Sequence, residues 1–147
     1  MADERPAQTY ATHTRWHPLF HFFAFPILAI NFLFAVYVVI RHPVGITIWN
    51  AIVAAALAVT CFLARYYGLR NQDRIIRLEE RVRLSTCLPD ELRGRINELS
   101  TSDLIALRFC SDEEVADAVR RVLAGEVTGK PAIKQNVKSW RPDYHRL

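Results

Sequence analysis

The sequence predicts an all-α protein: a two-helix transmembrane hairpin, a second span that continues as a cytoplasmic stalk helix, and a small bundle of short helices. Three observations predict it. Between Trp16 and Ala64 the one formal charge is Arg41, which divides the stretch into two apolar runs, Leu19 to Ile40 and Ile46 to Ala64. From Arg65 to Thr86 no proline interrupts a run of good helix formers. After Cys87, prolines, glycines and paired capping residues recur at the spacing of short helices.

Runs of this length without an acidic or basic side chain are the mark of membrane-spanning helices. At 1.5 Å per residue, about 22 residues reach about 33 Å, enough to cross a hydrocarbon core of roughly 30 Å. The link Arg-His-Pro-Val-Gly is too short for anything but a tight turn, so the spans run antiparallel. The first run starts too late and is too long for a cleavable signal peptide, and a second span follows at once. The expected organisation is a polar segment at 1–17, the hairpin at 18–64 with spans near 19–40 and 46–64, a stalk at 65–86 and a helical domain at 87–147.

The chain of 147 residues carries a net charge of +4, unevenly placed. Arg5 and Arg15 precede the first span; Arg65, Arg70, Arg74, Arg77, Arg81 and Arg83 follow the second; Arg41 stands alone in the link. The positive-inside rule then puts both termini in the cytoplasm and the link outside. With a third of the chain in lipid, the remainder suffices for one small helical domain. Cys61, Cys87 and Cys110 form no CxxC and no metal-ligand spacing, and are read as reduced, packed thiols.

Residues 1–15 are polar and aperiodic, and are expected to lack fixed structure. Trp16 suits the headgroup region, and Pro18 the first turn of a helix. Pro26 frees a carbonyl near residue 22 and predicts a kink. Asn31 falls near mid-bilayer, where an amide should face a partner helix for a bond worth about 0.6 kcal/mol. Trp49 anchors the outer interface, and Tyr66 and Tyr67 the inner one. Ala51 with Ala55, and Ala54 with Ala58, are small residues four apart, the spacing of a helix–helix seam.

In the stalk, Arg70, Arg74, Arg77 and Arg81 project within about 60° of one another, a basic stripe beside an apolar one of Ile75, Leu78 and Val82. Asp73 with Arg77, and Glu79 with Arg83, are four apart in the favourable order, each pair worth about 0.2–0.5 kcal/mol. Beyond it, Pro89 opens a helix with Leu92, Ile96 and Leu99 on one face. Ser100 with Asp103, and Ser111 with Glu114, have capping-box spacing. A helix bearing Val115, Val119 and Val122 should end at Gly125, and another should run from Pro131 to about Trp140.

No nucleophile elbow, phosphate-binding glycine loop, HExxH or paired-carboxylate pattern appears, so no catalytic or cofactor-binding residue is assigned. His13, His17 and His21 are spaced four apart and would set three imidazoles on one helix face, fit for a metal or haem. If the helix starts at Pro18, that spacing loses its meaning for His13 and His17. Arg65, Arg70 and Arg74 lie close enough to the bilayer to feel anionic headgroups, at about 1 kcal/mol each. With a Debye length of about 8 Å, Arg77 and Arg81 need acidic groups in the C-terminal domain or a partner. In the tail, Lys134, Lys138 and Arg141 alternate with Trp140 and Tyr144, a pattern that can bind nucleic acid. The stronger reading is that Ile133, Val137, Trp140 and Tyr144 pack the tail onto the small domain.

The blocks HTRWHPLFHFF, QDRIIRLEERVRL, LRFCSDEEV and IKQNVKSWRPDYHR resemble the recurring blocks of a family of small two-span bacterial membrane proteins of unknown function. The resemblance runs along nearly the whole chain. It implies a cytoplasmic-membrane protein with two spans and a soluble helical C-terminal part, and it carries over no active site, substrate or cofactor. The residues themselves point to a non-catalytic membrane anchor or adaptor, or an accessory subunit that binds other membrane subunits or itself. A metal- or haem-linked protein using the histidines is the alternative; lipid or nucleic-acid sensing is a weaker one.

Overall fold

The computed structural model describes residues 9–10 and 16–143, and among them every regular element is helical. The chain divides into two compact units, one of Trp16–Arg70 and one that begins at Asn71.

In the first unit the helix starts at Pro18, whose ring presets the backbone at φ −57°. The segment Leu19–Ala24 is a π-helix, and Phe25–Arg41 follows as α1. The sequence predicts a kink at Pro26, and the widened turn is the form the disturbance takes. Pro26 has no N–H to donate, and the turns before it move to an i→i−5 register, with Phe25 N–H donating to the Phe20 carbonyl. Helix α2, Gly45–Cys87, begins after a three-residue link. The Thr47 hydroxyl holds that link: it accepts from Val44 N–H at 3.1 Å and donates to the His42 carbonyl at 2.6 Å.

No residue of α1 is buried, and in the part of α2 within this unit Ala54 alone is. The helical stretches Leu19–Arg41 and Gly45–Cys87 are both long and apolar enough to cross a membrane. Helix α2 does not pause at Gly68 but runs on to Cys87, as a sequence without proline allows.

The second unit has its own core. Leu84 and Leu88, at and just past the end of α2, pack with Leu92, Leu104, Leu107, Cys110, Val115, Val119, Ile133 and Val137. Fully burying one such side chain contributes about 1.5–3 kcal/mol. The four short helices are α3 (Asp90–Arg93), α4 (Thr101–Leu107), α5 (Val115–Leu123) and α6 (Lys130–Gln135). The helix expected to carry Leu92, Ile96 and Leu99 is instead two pieces, α3 and a 3-10 turn at Ile96–Glu98, though all three side chains are buried.

The Ser100–Asp103 capping box forms in full. The Ser111–Glu114 pair does not. Ser111 donates its N–H to the Ser139 carbonyl, and Glu114 reaches across to accept from the backbone N–H groups of Lys138 and Ser139, both at 3.2 Å. Helix α5 ends as expected, with Gly125 at φ +74° and Glu126 N–H donating to the Arg121 carbonyl. Helix α6 stops at Gln135, short of the predicted Trp140. The chain there straightens so that Trp140 pairs with Cys110 in an antiparallel bridge and its ring lies 4.9 Å from that of Phe109.

Candidate functional site

Two surfaces hold most of the residues singled out by sequence. The first is the seam of the hairpin. Thr47, Ala51, Ala54, Ala58, Cys61, Arg65 and Gly68 are the least exposed positions along this part of α2, together with Ala55. Their spacing alternates four and three, the 3.5-residue period of a left-handed helix pair. Ala54 is buried and Ala51, Ala55 and Ala58 are half-buried. Cys61 and Gly68 extend the seam beyond the alanine run; both are small, and the 3.5-residue period links them to it. Asn31 is exposed and lines an open cleft of about 330 Å³ with Asn50, Thr47 and Ala54. It faces the groove between the helices but is not sealed within it.

At the other end of the hairpin the Arg65 guanidinium sits 5.6 Å over the Phe20 ring, and Arg70 lies 6.0 Å over Tyr66. Trp16, Trp49, Tyr66 and Tyr67 are all exposed. His17 precedes the helix, and the His21 Nδ1 lies 3.1 Å from its backbone nitrogen. The four-residue spacing thus places a ring against a backbone turn instead of aligning imidazoles. His13 lies outside the described residues. No group of three metal-ligating side chains forms among the described residues.

The second surface is the end of α2 within the C-terminal unit. Its faces divide sharply. Ile76, Glu80 and Leu84, four apart, are buried. Ile75, Leu78 and Val82 are 55%, 64% and 68% exposed. The apolar stripe is therefore open within this chain, and the buried face carries a carboxylate at its centre. Sequence reasoning missed this because Glu80 interrupts the apolar pattern of the inner face.

Glu80 is 4% exposed and surrounded by arginine. Its Oε2 pairs with Arg83 Nη1 at 2.9 Å and its Oε1 with Arg141 Nη1 at 3.3 Å. Arg83 further donates to Asp112 at 2.7 Å and to the Cys110 carbonyl at 2.6 Å. Arg108, 6% exposed, pairs with Asp143 at 3.3 Å and lies over the Phe109 ring at 4.5 Å. Glu80, Arg83, Arg108, Arg141 and Asp143, with Glu79, line a cleft of about 530 Å³. Burial pushes the Glu80 carboxyl above the usual carboxylate range, and the attraction of Arg83, Arg141 and Arg108 offsets this only in part. Asp112 is held below its ordinary value by its hydrogen bond from Arg83. In the cleft Arg83, Arg108 and Arg141 meet Glu79, Glu80 and Asp143, and Arg83 reaches Asp112 as well, so the tail is tied to the helix and no positive charge is left over for an anion.

The i,i+4 pair expected between Glu79 and Arg83 is replaced by Arg83 with Glu80 and Asp112. Arg74 and Arg77 are exposed, and Arg81 is half-buried. In the tail, Lys134 lies 5.1 Å over the Phe109 ring and Arg141 is committed to Glu80. With α6 ending at Gln135, Lys134, Lys138 and Arg141 do not form a helical basic stripe. Ile133 and Val137 are buried and Trp140 partly so, as the packing reading requires; Tyr144 lies outside the described residues.

No curated protein and no solved structure matches the chain. A family model does match, over residues 3–147, nearly the whole length. The chain belongs to DUF6526, a family of unknown function.

Proposed function

We propose that the chain is a non-catalytic membrane-anchored interaction protein of a bacterial inner membrane. The hairpin of α1 and the first half of α2 crosses the bilayer, and the C-terminal helices offer a protein-binding face in the cytoplasm. The observation that carries this reading is exposure. Leu19, Phe22, Phe23, Ile30, Leu33, Phe34 and Ile40 are each more than 60% open. A core helix of a soluble protein would bury these side chains, whereas lipid accepts them. Trp16, Trp49, Tyr66 and Tyr67 stand open near the ends of the apolar runs, where aromatic belts form. Arg65 and Arg70, stacked on Phe20 and Tyr66, are then positioned for anionic headgroups.

The interaction role rests on the open stripe of Ile75, Leu78 and Val82 in a unit that otherwise buries its large aliphatic side chains. Two measurements test the proposal. After a carbonate wash the chain should stay in the membrane pellet; release into the supernatant refutes the anchor. Purification in mild detergent should return a stoichiometric partner or a self-associated species, and a lone monomer at every expression level refutes the adaptor.

A further inference from the structure

The exposed stripe on α2 has heptad spacing at three apolar positions. Taking Ile75 as position a, Leu78 is d, Val82 is the next a, and Asn71 and Ser85 are the flanking d positions. Projected at 100° per residue, this stripe lies on the side of α2 opposite Ile76, Glu80 and Leu84. The helix thus docks to its own unit by one face and presents the other outward. A β-branched residue at a with leucine at d is the combination that favours parallel two-stranded coils. The flanks agree. Arg74 is a g position and Glu79 the following e position, and both are exposed. In a parallel pair each g meets the e five residues on in its neighbour, so Arg74 would face the neighbour's Glu79 twice over. In an antiparallel pair g meets g, and Arg74 and Arg81 would be set among like charges.

We propose that the Ile75–Leu78–Val82 face is the contact for a second copy of this chain, aligned in parallel, with Arg74 of each copy opposite Glu79 of the other. The inference rests on the membrane reading in one respect. Copies inserted with the same topology present α2 in the same sense, and confinement to one bilayer raises the effective concentration that so short a seam needs.

The test uses the full chain in native membranes, with Leu78→Cys oxidised by copper-phenanthroline and Arg77→Cys, one position round the helix, as the control. A doubled-mass band should form with Leu78→Cys well above both wild type and Arg77→Cys. Arg74→Glu in the Leu78→Cys background should lower that yield about threefold, the worth of an exposed ion pair turned repulsive. Adding Glu79→Arg should restore it. Residues five apart on one helix do not face each other, so restoration cannot come from within a single chain. All four positions are exposed, and unchanged circular dichroism of each variant confirms its fold. Equal cross-linking by the two cysteine variants, no restoration by the double swap, or a cross-link to a different protein overturns the proposal. The cross-link is read in whichever fraction holds the chain. A chain in the supernatant sinks the membrane reading, while a chain in the pellet without the band specific to Leu78→Cys sinks the pairing.

Discussion

At the residue scale the weight falls on Glu80. A carboxyl raised above its ordinary value binds its proton more tightly in the native state than in the unfolded chain. Its contribution to stability is therefore fully present below the ordinary carboxylate value and is lost as pH rises through the folded one. Arg83, Arg141, Arg108, Asp112, Asp143, Glu79 and the Cys110 thiol share its surroundings. Comparison with Glu80→Gln cancels most of their own titration. Glu80→Gln keeps one acceptor oxygen for the two arginines, its other arm becoming an amide donor, and should gain stability relative to wild type as pH rises from acid to neutral. Glu80→Ala should instead cost about 2 kcal/mol, because it leaves buried donors without an acceptor. Thermal unfolding of the detergent-solubilised chain followed by circular dichroism checks both, and equal loss from the two variants would refute the argument. A second prediction concerns Cys110. Burial, with Glu114 adding repulsion, pushes its thiol up to about 12. At pH 8 iodoacetamide should therefore spare Cys110 in the folded chain and modify it after denaturation, as mass spectrometry of peptides will read.

At the element scale the helices divide into those set by local chemistry and those set by packing. Ser100 and Asp103 close a box within four residues, so its spacing alone announces α4. Gly125 ends α5 for an equally local reason, a positive φ that costs a residue with a Cβ. Ser100→Ala should accordingly destabilise the unit by about 1 kcal/mol in the same melt, and Gly125→Ala by a similar amount, about 1 kcal/mol. Glu114 and α6 depart from their local signals because their partners are distant in sequence. Glu114 serves Lys138 and Ser139, and the segment after Gln135 gives up its helix for Cys110 and Phe109. Helix α2 shows both cases. Its continuity through Gly68 follows from composition, but which stripe it buries does not. Ile75, Leu78 and Val82 form the cleaner apolar pattern, yet the core takes Ile76, Glu80 and Leu84, where Arg83 of α2 and Arg141 of the tail pair with Glu80.

At the scale of the whole molecule, the distribution of charge predicts, for the proposed membrane hairpin, a topology that can be tested. Eight basic residues, Arg5, Arg15, Arg65, Arg70, Arg74, Arg77, Arg81 and Arg83, adjoin the spans on the side of the termini, against Arg41 in the link. Such asymmetry near short loops is what orients a hairpin, since basic side chains resist translocation. The link itself is held closed by Thr47 and leaves the Val44 side chain 52% exposed. The variant Val44→Cys should then react with a membrane-impermeant maleimide added to spheroplasts, above the wild-type background. Thr128→Cys, exposed in the turn before α6, should react only after permeabilisation. The reverse pattern would put the arginine-rich half outside the cell and overturn the orientation, whereas labelling of both sites in intact spheroplasts would argue against a spanning hairpin. The C-terminal unit need not be altered to read the first site, nor the hairpin to read the second, so a fault in either variant's folding cannot imitate the predicted pair of results.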